Sequence, residues 1–181
     1  LTSPDFLALK ARVELLREHM PELGLRSIDE EAVRALLPTL AAGETSFASM
    51  RRKPFVEMLL GLLDYPSQAA LEQHMPERIE VPSGSRIRLD YEPGKPPVLA
   101  VRIQEMFGLA ETPTVAGGRL RVMLHLLAPN MRPQQVTQDL AGFWARTYPD
   151  VRKDLRGRYP KHDWPDDPLS AAPLRGTRRR R

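Results

Sequence analysis

Apolar positions fall at helix spacing up to about residue 76 and at strand spacing beyond it. Phe6, Leu9, Val13, Leu16 and Met20 form one stripe that starts after Ser3-Pro4 and stops at Pro21, which predicts an amphipathic helix. Ser27-Ile28-Asp29-Glu30 has a capping-box pattern ahead of Val33, Leu36, Leu37 and Leu40, and predicts a second. Pro54 opens a third segment, Phe55 to Leu63, apolar on nearly every side. Such a helix has to be buried, or covered by something else. Pro66 opens a fourth, which ends at Met75-Pro76.

The period then changes. Ile87, Leu89 and Tyr91 alternate with charged residues, and Ile79 and Val81 precede them across Pro82-Ser83-Gly84-Ser85. Two half-buried strands joined by a turn are expected. Val98 to Ile103 is the next strand, and Gln104 to Leu109 is long enough for one or two helical turns. Thr114-Val115, a Gly117-Gly118 turn and Arg119 to Leu127 read as a hairpin. In its second strand Leu120, Val122, Leu124 and Leu126 face the core, and Arg119, Arg121, Met123 and His125 face the other way. Pro133 is expected to begin a helix carrying Val136, Leu140, Phe143 and Trp144 on one stripe. Tyr148-Pro149-Asp150 restarts it, with Val151 and Leu155, and Gly157 is a plausible stop. Beyond it, proline and charge leave an extended arm and tail. The fold class is therefore α+β: a helical segment over 1–76, a small, mainly antiparallel sheet with a C-terminal packing helix over 77–160, and an extended basic arm over 161–181.

Composition narrows the function. The 181 residues contain no cysteine, which excludes disulfides and thiolate chemistry and fits a reducing, cytoplasmic compartment. No apolar run is long enough to cross a bilayer, and no membrane partner is expected. Proline, at 18 residues, is about twice its usual share and cuts the chain into short elements. Charge is uneven. Residues 1–118 hold 13 Lys and Arg against 17 Asp and Glu, whereas residues 119–181 hold 14 against 6. A basic third on an acidic body points to a polyanion or to an acidic protein surface.

Several chemistries lack their residues. Gly94-Lys95 is followed by Pro96, so it is no phosphate loop. His19, His74, His125 and His162 lie far apart, never at metal-ligand spacing. Ser83-Gly84-Ser85 is explained by a turn, and Asp166-Asp167 by a solvated pair in a proline-flanked arm. No catalytic or metal residue is assigned. The suggestive feature is a run of cations, Arg146, Arg152, Lys153, Arg156, Arg158 and Lys161, interleaved with Tyr148, Tyr159 and Trp164. Cations can contact phosphates, and rings can stack on unpaired bases. The plain alternatives are that the rings pin the arm to the body while the cations stay solvated, or that the run docks on protein. Arg146, Arg152, Lys153, Arg156, Arg158, Tyr159, Lys161 and Trp164 are the candidate nucleic-acid-binding residues.

Five stretches carry a family resemblance. They are Val81-Pro82-Ser83-Gly84-Ser85-Arg86-Ile87, Pro97 through Gly108, Leu124-His125-Leu126-Leu127-Ala128-Pro129, Gln135-Val136-Thr137-Gln138-Asp139-Leu140 and Arg156 through Leu169. Together they resemble the C-terminal region of HrpB-type bacterial ATP-dependent helicases of the DEAH-box class; residues 1–75 match more loosely. The resemblance implies that this chain is a fragment, and that two RecA-like domains binding ATP and Mg²⁺ lie upstream. It implies a non-catalytic accessory role here: packing on the helicase core of the same polypeptide, with RNA contact an open hypothesis. A free-standing RNA- or protein-binding module is the alternative, and an independent hydrolase using Ser83 or Asp166 the remote one.

Overall fold

A computed structural model describes residues 3–42 and 55–176. The chain divides into two compact units, Leu1–Pro76 with Tyr91–Lys95, and Glu77–Asp90 with Pro96–Arg181.

The first unit is helical. Helix α1 (Pro4–His19) starts where Ser3 accepts a hydrogen bond from the Phe6 amide at 3.3 Å. It buries Phe6, Leu9, Val13 and Leu16 as the stripe predicts, together with Leu15 and Arg12. Arg12 is a charge inside the unit. Its Nε donates to the Met75 carbonyl at 2.8 Å, and its Nη2 lies 2.6 Å from Glu72 Oε1. The guanidinium sits 5.9 Å from the centre of the Tyr91 ring, whose hydroxyl donates to the Pro76 carbonyl. Sequence periodicity placed Arg12 at no such point.

Helix α2 (Glu30–Ala41) is capped by Asp29, which accepts from the Ala32 amide at 3.0 Å. The cap therefore lies two residues beyond the expected Ser27. Ile28 is buried just before it, and an aspartate serves as well as a serine in that place. Val33 and Leu36 are buried, but Leu37 is 48% exposed. Helix α3 (Phe55–Leu60) buries Leu59, and Leu63 follows it into the core; Phe55 and Met58 are half-buried and Leu62 is 42% exposed. Pro54 lies outside the described residues. Helix α4 (Tyr65–His74) is capped by Asp64, which accepts from the Ser67 amide.

The second unit is built on a three-stranded sheet. β1 (Arg78–Glu80) and β2 (Arg86–Arg88) pair antiparallel across the expected turn, with Ile79 opposite Ile87. β3 (Val98–Arg102) leads into a tight turn over Ile103–Met106. β4 (Thr114–Val115) and β5 (Leu120–Arg121) form the small hairpin around Gly117 and Gly118, both at positive φ. β6 (Met123–Leu127) then pairs with β3 in parallel. This central pairing is the one parallel pairing among the described strands; β1–β2, β4–β5 and the pairing of β6 with the strand that follows it are antiparallel, in line with the mainly antiparallel expectation. The excursion between the two strands is long enough to bring the chain back in the same direction, which a tight hairpin cannot do. Leu99, Val101, Leu124 and Leu126 bury one face of this sheet.

The larger correction concerns Pro133–Thr137. This stretch is strand β7, antiparallel to β6, and not the start of a helix. As the edge of the sheet it tolerates Pro133, and Val136 stands 52% exposed instead of joining the stripe. The helix begins at α5 (Leu140–Gly142), widens into a π turn over Phe143–Thr147, and continues as α6 (Tyr148–Arg158). The wide turn falls just before Pro149, which has no N–H to give to the helical ladder. Phe107, Phe143, Trp144 and Tyr148 pack as one aromatic cluster, with neighbouring ring centroids 5.0 to 6.2 Å apart.

The candidate nucleic-acid interface

The candidate residues lie on the π turn at Arg146, on α6 and on the arm that follows. The fold uses several of them internally. Trp164 is 5% exposed, and its indole N–H donates to the Tyr159 carbonyl at 3.0 Å. Its ring is turned into the unit and offers no face for a base. Tyr159 is half-buried and packs edge-on against His162. Tyr148 is buried; its hydroxyl donates to the Pro165 carbonyl, and burial pushes its pKa up.

The cations separate into two sets. Arg152 is 21% exposed; its Nε donates to the Trp164 carbonyl at 2.8 Å, and its Nη2 lies 2.5 Å from Asp166. Arg146 pairs with Asp139 at 2.9 Å, and Arg158 with Asp154 at 3.1 Å. Asp139 also caps α5 by accepting from the Gly142 amide at 2.8 Å. The Gly142 and Arg146 donors hold its carboxyl below the ordinary value. Three of the six cations are thus matched by carboxylates. Lys153, Arg156 and Lys161 are exposed and have no such match among the described residues.

Sequence reasoning did not find how the arm is held. Pro168 accepts from the Gly108 amide, and the Leu174 amide donates to the Gln104 carbonyl. Arg175 Nε donates to the Ser83 carbonyl, and Arg102 Nη1 to the Arg175 carbonyl. Ser83 Oγ in turn donates to the buried Glu105 at 2.8 Å, so the Ser83–Ser85 turn is an anchor for the arm. Most of these bonds use main-chain carbonyls, which no residue-type motif reveals. His162 Nδ1 is buried with no hydrogen-bond partner among the described residues. Burial first, and the charge of Arg102 second, lower the His162 pKa. Among the described residues no group of three or more His, Asp or Glu could hold a metal ion, and no helix is long and apolar enough to cross a membrane.

Comparison with known proteins places this arrangement, a helical unit followed in the chain by a mixed-sheet unit with a basic arm, in the C-terminal region of ATP-dependent helicases. The chain belongs to the family described as ATP-dependent helicase C-terminal, HrpB_C, whose model matches residues 36–168. It is 42% identical over 175 residues to the ATP-dependent RNA helicase HrpB of Escherichia coli strain K12, which covers 94% of this chain and 22% of that protein. Its fold matches the crystal structure of the E. coli DExH-box NTPase HrpB with a TM-score of 0.87 at 40% identity, over 94% of this chain and 22% of that one. A crystal structure of the E. coli DEAH/RHA helicase HrpB matches with a TM-score of 0.73 at 38% identity, over 90% and 21%. The chain spans about a fifth of the length of these relatives. The family resemblance read from Val81 to Leu169 is therefore correct, and the match also reaches back into the helical unit.

Proposed function

We propose that this chain is a non-catalytic accessory region of an ATP-dependent helicase, docked on that enzyme's core, and that Lys153, Arg156 and Lys161 contact RNA phosphates. ATP and Mg²⁺ belong, on this reading, to domains upstream. The observation that carries it is the coverage: nearly all of this chain corresponds to about a fifth of an ATP-dependent RNA helicase. The charge pattern supports the RNA contact, because the three cations without carboxylate partners among the described residues lie on one helix and the start of the arm.

Each phosphate contact releases condensed counterions, so binding should weaken as salt rises, with a log–log slope of about −0.7 per contact for a single strand. Three contacts give a slope of roughly −2. Fluorescence anisotropy with a short single-stranded RNA over a salt series measures it, and charge reversal at Lys153 and Arg156 should flatten it. No binding at low salt would remove the RNA contact and leave core docking as the whole role. ATP turnover by the purified chain that survives repurification would overturn the non-catalytic reading.

A further inference from the structure

The three-stranded sheet of the second unit buries one face more deeply than the other. Leu99, Val101, Leu124 and Leu126 fill the interior. The residues that alternate with them point the other way, and Val98, Ala100, Met123 and His125 are partly exposed. The strand register sets Ala100, His125 and Val136 in one row across β3, β6 and β7, and Val136 is 52% exposed. A ring thus lies at the middle of the open face, between two small apolar neighbours.

The charge around this face has one sign along β6 and β7. From Arg119 to Gln138 the chain holds three arginines and one histidine, and no acidic residue. Arg121 is exposed two residues before Met123. Its charge reaches Asp139, the carboxylate that Arg146 already pairs, so two arginines share one acid there. At the other end of β6, Arg132 is exposed in the turn into β7 and has no carboxylate partner among the described residues. The five residues of β6, about 17 Å of strand, separate the two cations. Arg102, at the end of β3, is engaged by Glu105 and by the arm. Asp90, opposite Val98, puts an acid at the β3 edge.

We infer that the outward face of β6 and β7 is a track for single-stranded RNA, with a base stacked on the His125 ring beside Val136 and backbone phosphates on Arg121 and Arg132. The inference rests on the RNA-contact reading above and adds a second surface to it. Charge decides the occupant. A strand with phosphates at intervals and flat bases between them complements cations at both ends of a neutral track. A ring on an open sheet suits an unstacked base, which a duplex does not offer.

The test photo-cross-links the unaltered chain to a short single-stranded RNA carrying thiouridine and maps the adducts by mass spectrometry. Adducts at Met123, His125 or Val136 are the expected result. In parallel, His125→Ala should weaken binding in fluorescence anisotropy on the order of tenfold. It should leave the salt slope unchanged, because stacking releases no counterions. Arg132→Glu should instead flatten that slope by about 0.7. Should His125→Ala fail to fold, the adduct map of the parent still decides. Adducts confined to α6 and the arm would overturn this inference and leave the contact by Lys153, Arg156 and Lys161 standing. Equal affinity for a double-stranded RNA of the same length would also refute it. No binding at low salt would overturn both readings.

Discussion

Arg152 donates from Nε to the backbone carbonyl of Trp164 at 2.8 Å, so one of the candidate cations of α6 holds the arm in place. Arg152→Ala should destabilise the chain by about 1.5–3 kcal/mol, the range for a hydrogen bond from a charged donor. The ion pair with Asp166 should add under about 1 kcal/mol, because that carboxylate is 89% exposed. Asp166→Asn should therefore be nearly silent in a urea titration where Arg152→Ala is not.

Trp164 and Lys153 should separate stability from RNA binding. Trp164→Ala removes a buried ring and should cost about 3–5 kcal/mol, with faster proteolysis within the arm. Lys153→Glu should leave the urea midpoint within about 0.5 kcal/mol of the parent while weakening any RNA complex. A Trp164→Ala chain that is as stable as the parent would refute the fastening role.

Phe143 and Gly142 test the start of the long helix. Phe143→Ala should cost about 3–5 kcal/mol, since the ring is 3% exposed within the aromatic cluster. Gly142→Ala should also destabilise, although alanine is the better helix former. A Cβ there would run into the Asp139 carboxylate and the Arg146 guanidinium, and would break the cap that Asp139 provides. Thermal melts of Gly142→Ala, with and without Asp139→Ala, should show the two costs overlapping and not adding.

His162 gives a pH dependence with a definite sign. Its folded pKa lies below the ordinary 6.5, so the fold favours the neutral ring. Above about pH 6.5 that preference contributes in full. As pH falls below it the unfolded chain takes up the proton first, and stability is lost until the folded pKa is passed. Denaturant midpoints for the parent and for His162→Gln should diverge between about pH 7 and pH 5, with the parent falling more steeply. Equal slopes would place the ring in solvent.

Much of this fold is legible because periodicity reports burial. The α1 stripe, the Ile79–Ile87 hairpin and the Leu124–Leu126 strand follow from spacing alone. The β7 error has a physical origin: a proline that suits a first helical turn also suits an edge strand, and Val136 to Leu140 happens to span one helical turn. Asp139, three residues before Gly142, was the better cap signal. For the candidate site, the charge of all six cations is legible in the sequence, but not that Lys153, Arg156 and Lys161 are the three without a carboxylate partner among the described residues. The pairings of Arg146, Arg152 and Arg158, and the burial of Trp164, depend on where distant carbonyls and carboxylates arrive. The bond from Arg175 to Ser83 joins residues 92 apart in the chain, beyond the reach of any local pattern.

That bond has a consequence for how the protein comes to exist. The arm supplies Trp164 and its main-chain carbonyls to the second unit, and fixes Arg175 against a turn that precedes the sheet. Until residue 175 has been synthesised, the unit lacks part of its interior and the anchor at Ser83. Domains of a growing chain tend to fold as units, in the order they are made. The helical unit has its sequence through Lys95 early, but the second unit lacks Trp164 and the anchor at Ser83 while its own strands are being made. The last bond to the aromatic cluster, from the Tyr148 hydroxyl to the Pro165 carbonyl, forms only when the arm arrives.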